Sequence, residues 1–465
     1  MSTDQPNVLF VLTDQQRGDS LGVDPACPRT ENGDPLVHTP TLNELAGKGT
    51  QFRRAYTPIS SSIPARRCLW TGQTPATNGC PNWTTEPWDF ERTLPATLTD
   101  AGYQTRLVGK THSLPQRNHF GFEHLELHAG LRDDDDYDEW LAEQTTGHTD
   151  EISHGVGRNS WDARPWHLPE TQHPTNWTTD RAIEFVEKRD PTRPFFLTVS
   201  YVRPHQPYDP PQPYWDRYDR RDDIPSPAHG EWTEEQYRQH VPDHPRTDAW
   251  CADLPTDVDR AARVGYYGSV THVDHQINRL FRQLFDAGVL DDTIIVFTAD
   301  HGDMLGDHLL WRKCYAFEGA ARVPLLLQVP GLDQQSVVAA PVGLEDIMPT
   351  LLSLCDVAIP DSVRGIDLSA VARGAATADE LRSYYHHEHG PIYHDTNAYQ
   401  SLVGSRWKYV WNPVTGDELL FDLESDPLET VDRSDERDEI VGRLRETLVD
   451  RIGDRRAEFD APLPA

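Results

Sequence analysis

Three segments of the sequence bring together residue types that hold a divalent cation and attack an electrophile. Asp14 and Gln15 follow one apolar run, and Asp300 and His301 follow another. Ser62 begins a stretch that also contains a proline and an arginine. Carboxylate, amide and imidazole groups are metal ligands, and a hydroxyl beside them is a candidate nucleophile. Each segment alone has a simpler interpretation, such as a helix cap or a turn, but their combination indicates a catalytic metal site.

These residues need elements that place them at one edge of a sheet. Residues 8–12, 104–108, 195–200 and 293–298 are short apolar runs typical of buried strands, and helical patterns separate them. Strands that alternate with helices form a largely parallel sheet, and the carboxyl ends of its strands build binding sites. We therefore expect an α/β fold with a mostly parallel central sheet flanked by helices.

Two patterns mark particular helices. Thr41 and Glu44 have the spacing of a capping box, which predicts that a short helix begins there. Val273, Ile277 and Leu284 belong to an apolar stripe with helical spacing, which predicts a helix that packs against the sheet.

The pattern changes after about residue 360. Short strands with turns between them precede one amphipathic helix over residues 439–452. We predict a catalytic α/β domain over residues 1–360 and a small C-terminal α+β subdomain with an antiparallel sheet over residues 361–465.

Ser62 is predicted to lie at the N-terminus of a helix. Free backbone N–H groups and the positive end of the helix dipole stabilise an oxyanion at that position. Pro64 suits the first turn because its missing N–H donor would be unpaired there. Arg66 lies about one turn further on, where its guanidinium can hold a charged centre.

The pattern Ser62-x-Pro64-x-Arg66-x-x-x-x-Thr71-Gly72 resembles the signature of the sulfatase family, within the alkaline-phosphatase superfamily. In that family the first position is a cysteine, or in some members a serine, that is converted to formylglycine. Further segments resemble the family in the same order: Asn7 to Leu12 with Asp14, Gly102-Tyr103, Gly109-Lys110-Thr111-His112, Pro204-His205-Gln206-Pro207, Thr298 to Gly302, Lys313, Phe317 to Pro324, Arg406 to Tyr409 and Glu418 to Glu429. The resemblance covers nearly the whole chain and implies an alkaline-phosphatase-like core and an arylsulfatase-like sulfuric ester hydrolase.

The resemblance also implies a metal site. One divalent cation would be held by Asp14, Gln15, Asp300, His301 and Ser62. Gln15 stands where many sulfatases have a second aspartate, and His301 stands where many have asparagine. Both variants resemble the branch that includes choline sulfatases and phosphonate monoester hydrolases. Mostly oxygen ligands indicate Ca²⁺, Mg²⁺ or Mn²⁺, and the imidazole favours Mn²⁺ over Ca²⁺.

Roles for five other residues follow from the resemblance. Arg66, Lys110 and Lys313 would bind the non-bridging oxygens of the ester. His205, with Lys313, would protonate the leaving oxygen, and His112 would be the base that releases sulfate. The chain contains few lysines, and two of them fall at these positions. A sequence poor in lysine is expected to keep one where a compact ammonium does what arginine cannot.

Ser62 itself leaves two chemistries open. Formylglycine made from Ser62 would form a hydrate that attacks sulfur and then releases sulfate by C–O cleavage. Unmodified Ser62 lacks that route, but a serine phosphoester can be hydrolysed by water. The alternative function is therefore hydrolysis of phosphonate monoesters or phosphodiesters. A non-catalytic binding protein on the same fold is a further alternative, but it predicts missing ligands, and the sequence lacks none of them.

A histidine-rich segment near the C-terminus has two interpretations. His386, His387, Glu388 and His389, with His394, have side chains that bind transition metals. Alternation along a strand sends neighbouring side chains to opposite faces, so a pocket rim or a solvated edge is the preferred interpretation.

Composition restricts the partners. The 465 residues include 43 basic and 75 acidic side chains, which gives a net charge of −32. Such a surface repels nucleic acid and anionic lipid, so neither is an expected partner. The substrate is expected to be a small-molecule or saccharide sulfate, or phosphate, ester. The sequence does not determine the organic part of the substrate or the oligomeric state.

The same composition indicates the solvent and the compartment. Excess carboxylate with scarce lysine is typical of proteins from halophiles, because molar salt screens the repulsion between surface charges. The sequence contains neither an apolar run of the roughly 20 residues that span a bilayer nor a recognisable signal peptide. We therefore predict a halophilic, cytoplasmic protein.

Overall fold

A computed structural model describes residues 5–88, 90, 92–128, 135–145, 149–332, 334–377, 381–453 and 455. The strands are β1 (Asn7–Asp14), β2 (Thr50–Phe52), β3 (Ala55–Tyr56), β4 (Gln104–Gly109), β5 (His124–Leu127), β6 (Phe195–Pro204), β7 (Thr293–Ala299), β8 (Arg322–Val323), β9 (Leu325–Gln328), β10 (Ser336–Val338), β11 (Val342–Gly343), β12 (Tyr385–His389), β13 (Tyr399–Val403), β14 (Trp407–Trp411) and β15 (Glu418–Asp422). The helices are α1 (Pro40–Lys48), α2 (Ser62–Thr71), α3 (Pro75–Asn78), α4 (Leu94–Asp100), α5 (Asp136–Gln144), α6 (Pro174–Lys188), α7 (Gln212–Asp219), α8 (Glu231–Gln236), α9 (Thr256–Asp286), α10 (Glu318–Ala321), α11 (Ile347–Leu354), α12 (Ser369–Ala372) and α13 (Asp438–Ile452).

The central sheet has the strand order β10-β2-β9-β7-β1-β6-β4-β5. Strand β1 pairs parallel with β7 and β6, and β4 pairs parallel with β6 and β5. Strand β9 pairs antiparallel with both β2 and β7. The predicted α/β fold with a mostly parallel sheet is confirmed. The carboxyl ends of β1, β4, β6 and β7 therefore share one edge, where the polar segments of the sequence lie.

Strand β1 is buried on both faces, which explains its continuous apolar sequence. Val8, Phe10 and Leu12 pack into the core on one side of the sheet, and Leu9 and Val11 pack into the core on the other. The predicted strands at residues 104–108, 195–200 and 293–298 are likewise confirmed as β4, β6 and β7.

Gly109 lets the end of β4 approach β6 closely. Its φ is +101°, and a Cβ atom there would lie 2.0 Å from the carbonyl oxygen of Ser200. Any other residue would strain the backbone and separate the two strands. Gly109 thus fixes the position of Lys110, whose N–H donates to the same carbonyl at 2.9 Å.

The four-stranded sheet β12-β13-β14-β15 is antiparallel, and α13 packs against its outer face. Lys408 on β14 is fully buried, and it forms ion pairs with two glutamates, one of which lies in α10 outside this sheet. Its ammonium lies 2.7 Å from Glu318 and 2.8 Å from Glu429. The C-terminal antiparallel sheet is therefore confirmed, whereas the domain boundary at residue 360 stays a prediction.

The capping box predicted at Thr41 and Glu44 is wrong. Helix α1 begins at Pro40, one residue earlier, and its first turn is capped from another helix. The Asp274 carboxylate accepts the backbone N–H groups of Thr41 at 3.1 Å and Leu42 at 2.9 Å. A distant carboxylate has taken the place of the local cap. Within the described part of the chain, none of the helices combines the length and apolarity needed to cross a bilayer.

Candidate active site

The central residues of the site lie at the carboxyl ends of four strands. Asp14 is the last residue of β1, and Asp300 follows β7 directly. Lys110 follows β4, and His205 follows β6. Each of the four side chains is buried. The sequence interpretation grouped these positions, and the structure brings them to one edge of the sheet.

Ser62 is the first residue of helix α2, as the sequence predicts. Pro64 lies in the first turn, and the helix ends at Gly72, whose φ of 62° forms a left-handed cap. The hydroxyl of Ser62 is 2.8 Å from Nε2 of His301. A side chain from the helix N-terminus thus meets one from the exit of β7.

His301 presents a lone pair to this hydroxyl. Its Nδ1 lies 2.8 Å from the carbonyl of Gly302, which can only accept, so Nδ1 carries the proton. Burial lowers the pKa of His301, so the ring is neutral and Nε2 is an acceptor. A neutral imidazole fixed in this way by a carbonyl is the form that binds metals.

Asp14, Asp300 and His301 form a group with the geometry of a metal site. Ligand atoms of all three lie within 4.8 Å of one another, and all three side chains are fully buried. Oδ1 of Asp14 accepts no hydrogen bond within the described residues, which leaves a buried carboxylate oxygen free for a cation. Two carboxylates and an imidazole are suitable ligands for Mn²⁺ or Mg²⁺. These residues therefore fit a divalent cation.

Positive charges surround Asp14. Lys110 makes an ion pair with its Oδ2, and Arg66 Nη2 lies 3.5 Å from the same oxygen. Burial disfavours the charge of Asp14, but neighbouring cations, Lys110 first among them and then Arg66, hold its pKa well below the usual range. Asp14 therefore stays ionised although it is inaccessible to water.

Arg66 joins helix α2 to both acidic strand ends. Its Nε donates to Asp300 Oδ2 at 2.8 Å, and its Nη1 donates to Ser200 Oγ at 2.9 Å and to the carbonyl of Lys110 at 2.7 Å. Nη2 is buried without a hydrogen bond within the described residues. This unused donor beside Asp14 suits an oxygen of a bound anion.

Lys313 connects Gln15 to His205. Its ammonium donates to Oε1 of Gln15 at 2.7 Å and to Nε2 of His205 at 2.7 Å. His205 Nδ1 lies 2.9 Å from the carbonyl of Gln206, so that nitrogen holds the ring proton and Nε2 accepts. Burial lowers the pKa of Lys313 to about 8. The proton of this pair therefore lies on Lys313, and the acid role that the resemblance implies for His205 with Lys313 stays a prediction.

The sequence interpretation missed the residues that orient Gln15. Its Nε2 donates to Asp303 Oδ2 at 2.5 Å and to Gln206 Oε1 at 2.8 Å. Tyr208 supports both partners, because its hydroxyl bonds to Asp303 and accepts from Gln206. The amide nitrogen of Gln15 is thus occupied, and its oxygen faces Lys313. Asp303 follows Asp300 by three residues, but nothing in that spacing indicated this role.

Gln15 and His112 both adopt left-handed backbone conformations, with φ of 68° and 54°. Such residues cost of order 1–3 kcal/mol each and cluster at functional sites. Burial, followed by Lys110, lowers the pKa of His112 well below its ordinary value, so its ring is neutral. Its Nδ1 is buried without a hydrogen bond within the described residues, so this nitrogen is available for the base role that the resemblance implies.

The histidine-rich segment is a buried strand. His387, Glu388 and His389 lie in β12 and are at most 2% exposed, so the solvated edge is wrong for these three. His386 and Glu388 both bond to Gln400 on β13. His387 and His389 point to the opposite face, as strand alternation predicts. Among the described residues, the metal-ligand grouping found is that of Asp14, Asp300 and His301.

Comparison with known proteins identifies the family. The profile of the sulfatase family matches residues 6–357. The chain belongs to the sulfatase family. A second profile, the C-terminal region of N-sulphoglucosamine sulphohydrolase, matches residues 306–454. The predicted enzyme class, a sulfuric ester hydrolase, is confirmed, and the group of Asp14, Asp300 and His301 agrees with the general metal dependence of sulfatases.

Similar proteins cover almost the whole chain. An arylsulfatase of Clostridium perfringens is 36% identical over 97% of this chain and 95% of its own length. A choline-sulfatase of Rhizobium meliloti is 29% identical over 92% of this chain and 82% of its own. The crystal structure of a phosphonate monoester hydrolase of Agrobacterium radiobacter superposes with a TM-score of 0.81 at 24% identity and covers 96% of this chain and 95% of its own. That structural likeness confirms the alkaline-phosphatase-like fold.

Proposed function

We propose that this sulfatase hydrolyses sulfate esters through a nucleophile derived from Ser62, beside one divalent cation held by Asp14, Gln15, Asp300 and His301. The observation that carries the proposal is the 2.8 Å contact between Ser62 Oγ and His301 Nε2, within a group of buried carboxylates and cations. When bound, the cation would lower the pKa of the nucleophile and offset the charge of the ester.

The ester would be held by cationic side chains. Arg66 offers its unused Nη2, and Lys110 and Lys313 offer ammonium groups on either side of Asp14. These groups would bind the non-bridging oxygens and stabilise the charge that develops as the ester bond breaks. The N-terminal amides of α2 add to this field.

Proton transfer would use Lys313, His205 and His112. One hydroxyl of the formylglycine hydrate loses its proton to solvent, and its oxygen then attacks sulfur as the bond from sulfur to the leaving oxygen breaks. Lys313 supplies a proton to that oxygen while His205 positions its ammonium. His112 then takes the proton of the remaining hydroxyl. The C–O bond breaks, and sulfate and the aldehyde result.

The alternative is hydrolysis of a phosphonate monoester or phosphodiester by unmodified Ser62. Two observations favour keeping it: the residue at this position is serine, and the chain shares its fold with a phosphonate monoester hydrolase. An unmodified serine can be released from a phosphoester by water, whereas a serine sulfate ester would have to be broken by water at sulfur.

Mass spectrometry of the peptide that contains Ser62, from protein made in its native host, separates the two proposals. The sulfatase proposal expects the mass of formylglycine together with faster turnover of 4-nitrophenyl sulfate than of bis(4-nitrophenyl) phosphate. An intact serine with the opposite preference would establish the alternative. Asp300→Ala tests for a non-catalytic protein, because a true hydrolase loses its activity on this change.

Four finer proposals accompany this function. The cation is Ca²⁺, Mg²⁺ or Mn²⁺. The substrate is a small-molecule or saccharide ester, and neither a nucleic acid nor a membrane is a partner. Residues 361–465 form a subdomain that docks on the catalytic domain through Lys408. The halophilic character stays a prediction from composition, and the cytoplasmic location stays a prediction from the sequence pattern.

A further inference from the structure

His389 is a buried imidazole with one unused nitrogen. Its side chain is 1% exposed, and Nδ1 donates to the carbonyl of Gly390 at 2.6 Å. Nε2 has no hydrogen-bond partner within the described residues. A buried polar atom without a partner is destabilising, so such an atom needs an explanation, such as a ligand.

The strand register places this ring beside the nucleophile's loop. His389 pairs with Tyr399 across β12 and β13, and directly opposed residues in an antiparallel pair share a face. The Tyr399 hydroxyl lies 2.8 Å from Ser60 Oγ, two residues before Ser62. The ring of His389 is 6.2 Å from that of Tyr399 and within electrostatic reach of His301.

The loop after His389 meets a second loop that follows α3. Asn82 Nδ2 donates to the carbonyl of Pro391 at 2.9 Å, and Gly390 packs against the same amide. The neighbouring Trp83 is 47% exposed, so solvent reaches the outer side of this contact. His389 therefore lies between the nucleophile's loop and the surface.

The chemistry of the free nitrogen selects its partner. Burial lowers the pKa of His389 to about 4, so at neutral pH the ring offers a lone pair and carries no charge. A lone pair repels the anionic oxygens of a sulfate group. Nε2 therefore contacts the organic part of the substrate rather than the sulfate. Its partner must donate a hydrogen bond from a position close to the ester.

Resting on the proposed function, we propose that Nε2 of His389 accepts a hydrogen bond from a hydroxyl or amino group adjacent to the sulfated oxygen. The preferred substrates are then sulfate esters with a vicinal hydrogen-bond donor, as in sugar sulfates and catechol sulfates. Aryl sulfates without such a donor lack this hydrogen bond and are turned over less efficiently than those that have it.

Matched substrates test this assignment. Catechol monosulfate and phenyl sulfate differ by one hydroxyl beside the ester, and glucose 3-sulfate carries the same donor on a sugar. We expect the metal-loaded wild-type enzyme to favour catechol monosulfate over phenyl sulfate in kcat/KM by about tenfold. His389→Leu should remove this preference with little effect on phenyl sulfate, and His389→Gln, which keeps an acceptor, should restore part of it.

His387→Leu is the matched control. His387 is a buried histidine on the same strand face, and its ring also lies near that of Tyr399, at 5.2 Å. It differs from His389 in stacking on Tyr56 and Tyr385, and the charges that act on its pKa are Lys408 and His386 rather than His301. It should cost comparable stability and leave the preference intact. A preference that survives His389→Leu, or an equal loss on both aryl sulfates, overturns the assignment. Turnover of glucose 3-sulfate that falls on His389→Leu identifies a sugar as the source of the donor, and insensitive turnover identifies a catechol-type substrate.

A binding measurement separates this inference from the proposed function. Calorimetry with Ser62→Ala reports the affinity for catechol monosulfate and phenyl sulfate without turnover. The inference expects catechol monosulfate to bind about tenfold more tightly, and expects the double variant with His389→Leu to bind both equally. Equal or undetectable binding of the two esters to Ser62→Ala overturns it. Absence of turnover of every sulfate ester by the wild type, with the binding difference present, defeats only the proposed function.

Discussion

The side-chain amide of Gln15 donates to the carboxylate of Asp303 at 2.5 Å. The other oxygen of that carboxylate accepts the backbone N–H groups of Leu305 and Arg312, each at 3.0 Å. One carboxylate oxygen of Asp303 therefore accepts backbone N–H groups, and the other accepts the side-chain amide of Gln15 in the site. The second oxygen determines which end of the Gln15 amide faces Lys313 and the carboxylates.

Asp303→Asn should weaken cation binding. The backbone amides will keep the remaining oxygen, so the introduced NH₂ group faces Gln15 and turns its amide around. We expect Mn²⁺ affinity to fall by about tenfold to a hundredfold, measured by calorimetry. Asp346→Asn is the control, because Asp346 is equally buried and caps backbone and Arg382 groups elsewhere. Unchanged affinity in Asp303→Asn would contradict the orienting role.

Ser62→Ala should abolish turnover, whereas Ser61→Ala should retain most of it. Only Ser62 lies within hydrogen-bond distance of His301, and Ser61 precedes the helix. We expect a loss of at least about a thousandfold in kcat for the first variant and less than about threefold for the second. Steady-state kinetics with 4-nitrophenyl sulfate measure both. Equal losses would show that another group is the nucleophile.

Lys408→Met should destabilise the protein by about 3–5 kcal/mol, because it leaves the buried Glu429 carboxylate without its cation and leaves Glu318 paired with Arg322 alone. Glu318 and Glu429 both bond to this ammonium. Urea unfolding measures the change. Lys188→Met is the control, because its side chain is 72% exposed and should change the free energy of unfolding by less than about 0.5 kcal/mol. Similar values for the two variants would refute a stabilising role for Lys408.

His128 should make stability decline at alkaline pH. Burial disfavours its charge, but Asp135 and Glu151 outweigh this and raise its pKa from 6.5 to about 9. A raised pKa in the folded state stabilises fully below pH 6.5, and the benefit disappears as the pH rises towards 9. We expect a loss of about 3 kcal/mol across that window. The difference in urea stability between wild type and His128→Asn isolates it, and a difference that is constant with pH would disprove it.

Salt should stabilise the protein. The net charge is −32, so acidic side chains at the surface repel one another at low ionic strength. The Debye length falls to about 3 Å near 1 M salt, which screens this repulsion. We expect the unfolding temperature to rise steadily between 0.1 M and 3 M KCl. Sucrose at equal osmolality is the uncharged control and should act less. Equal effects of the two solutes would mean that charge screening is not the cause.

Sequence patterns predicted the elements whose signal is local. Strand β1 is recognisable because it is apolar throughout, and Ser62 because Pro64 and Arg66 follow at fixed intervals. These signals need no knowledge of distant contacts. The same holds for β7, because a strand buried on both faces needs a continuous apolar sequence.

Contacts between residues that lie far apart in the sequence could not be predicted from sequence patterns. Nothing near Thr41 shows that Asp274 caps α1 from 233 residues away. Likewise, the burial of His389 depends on β12 packing against the loop before Ser62, through the bond from Glu388 N–H to the Pro58 carbonyl. Polar side chains such as these form hydrogen bonds with groups that come close only in the folded chain. Composition does not predict these hydrogen bonds.

The burial of Ser62 limits when another enzyme can oxidise its side chain. An enzyme that oxidises a side chain has to enclose it, yet Ser62 is 2% exposed. The loop before it is completed by Tyr399, which the ribosome adds more than 300 residues later. Any conversion of Ser62 therefore requires a chain that has not yet folded, in which the C-terminal strands have not closed the site.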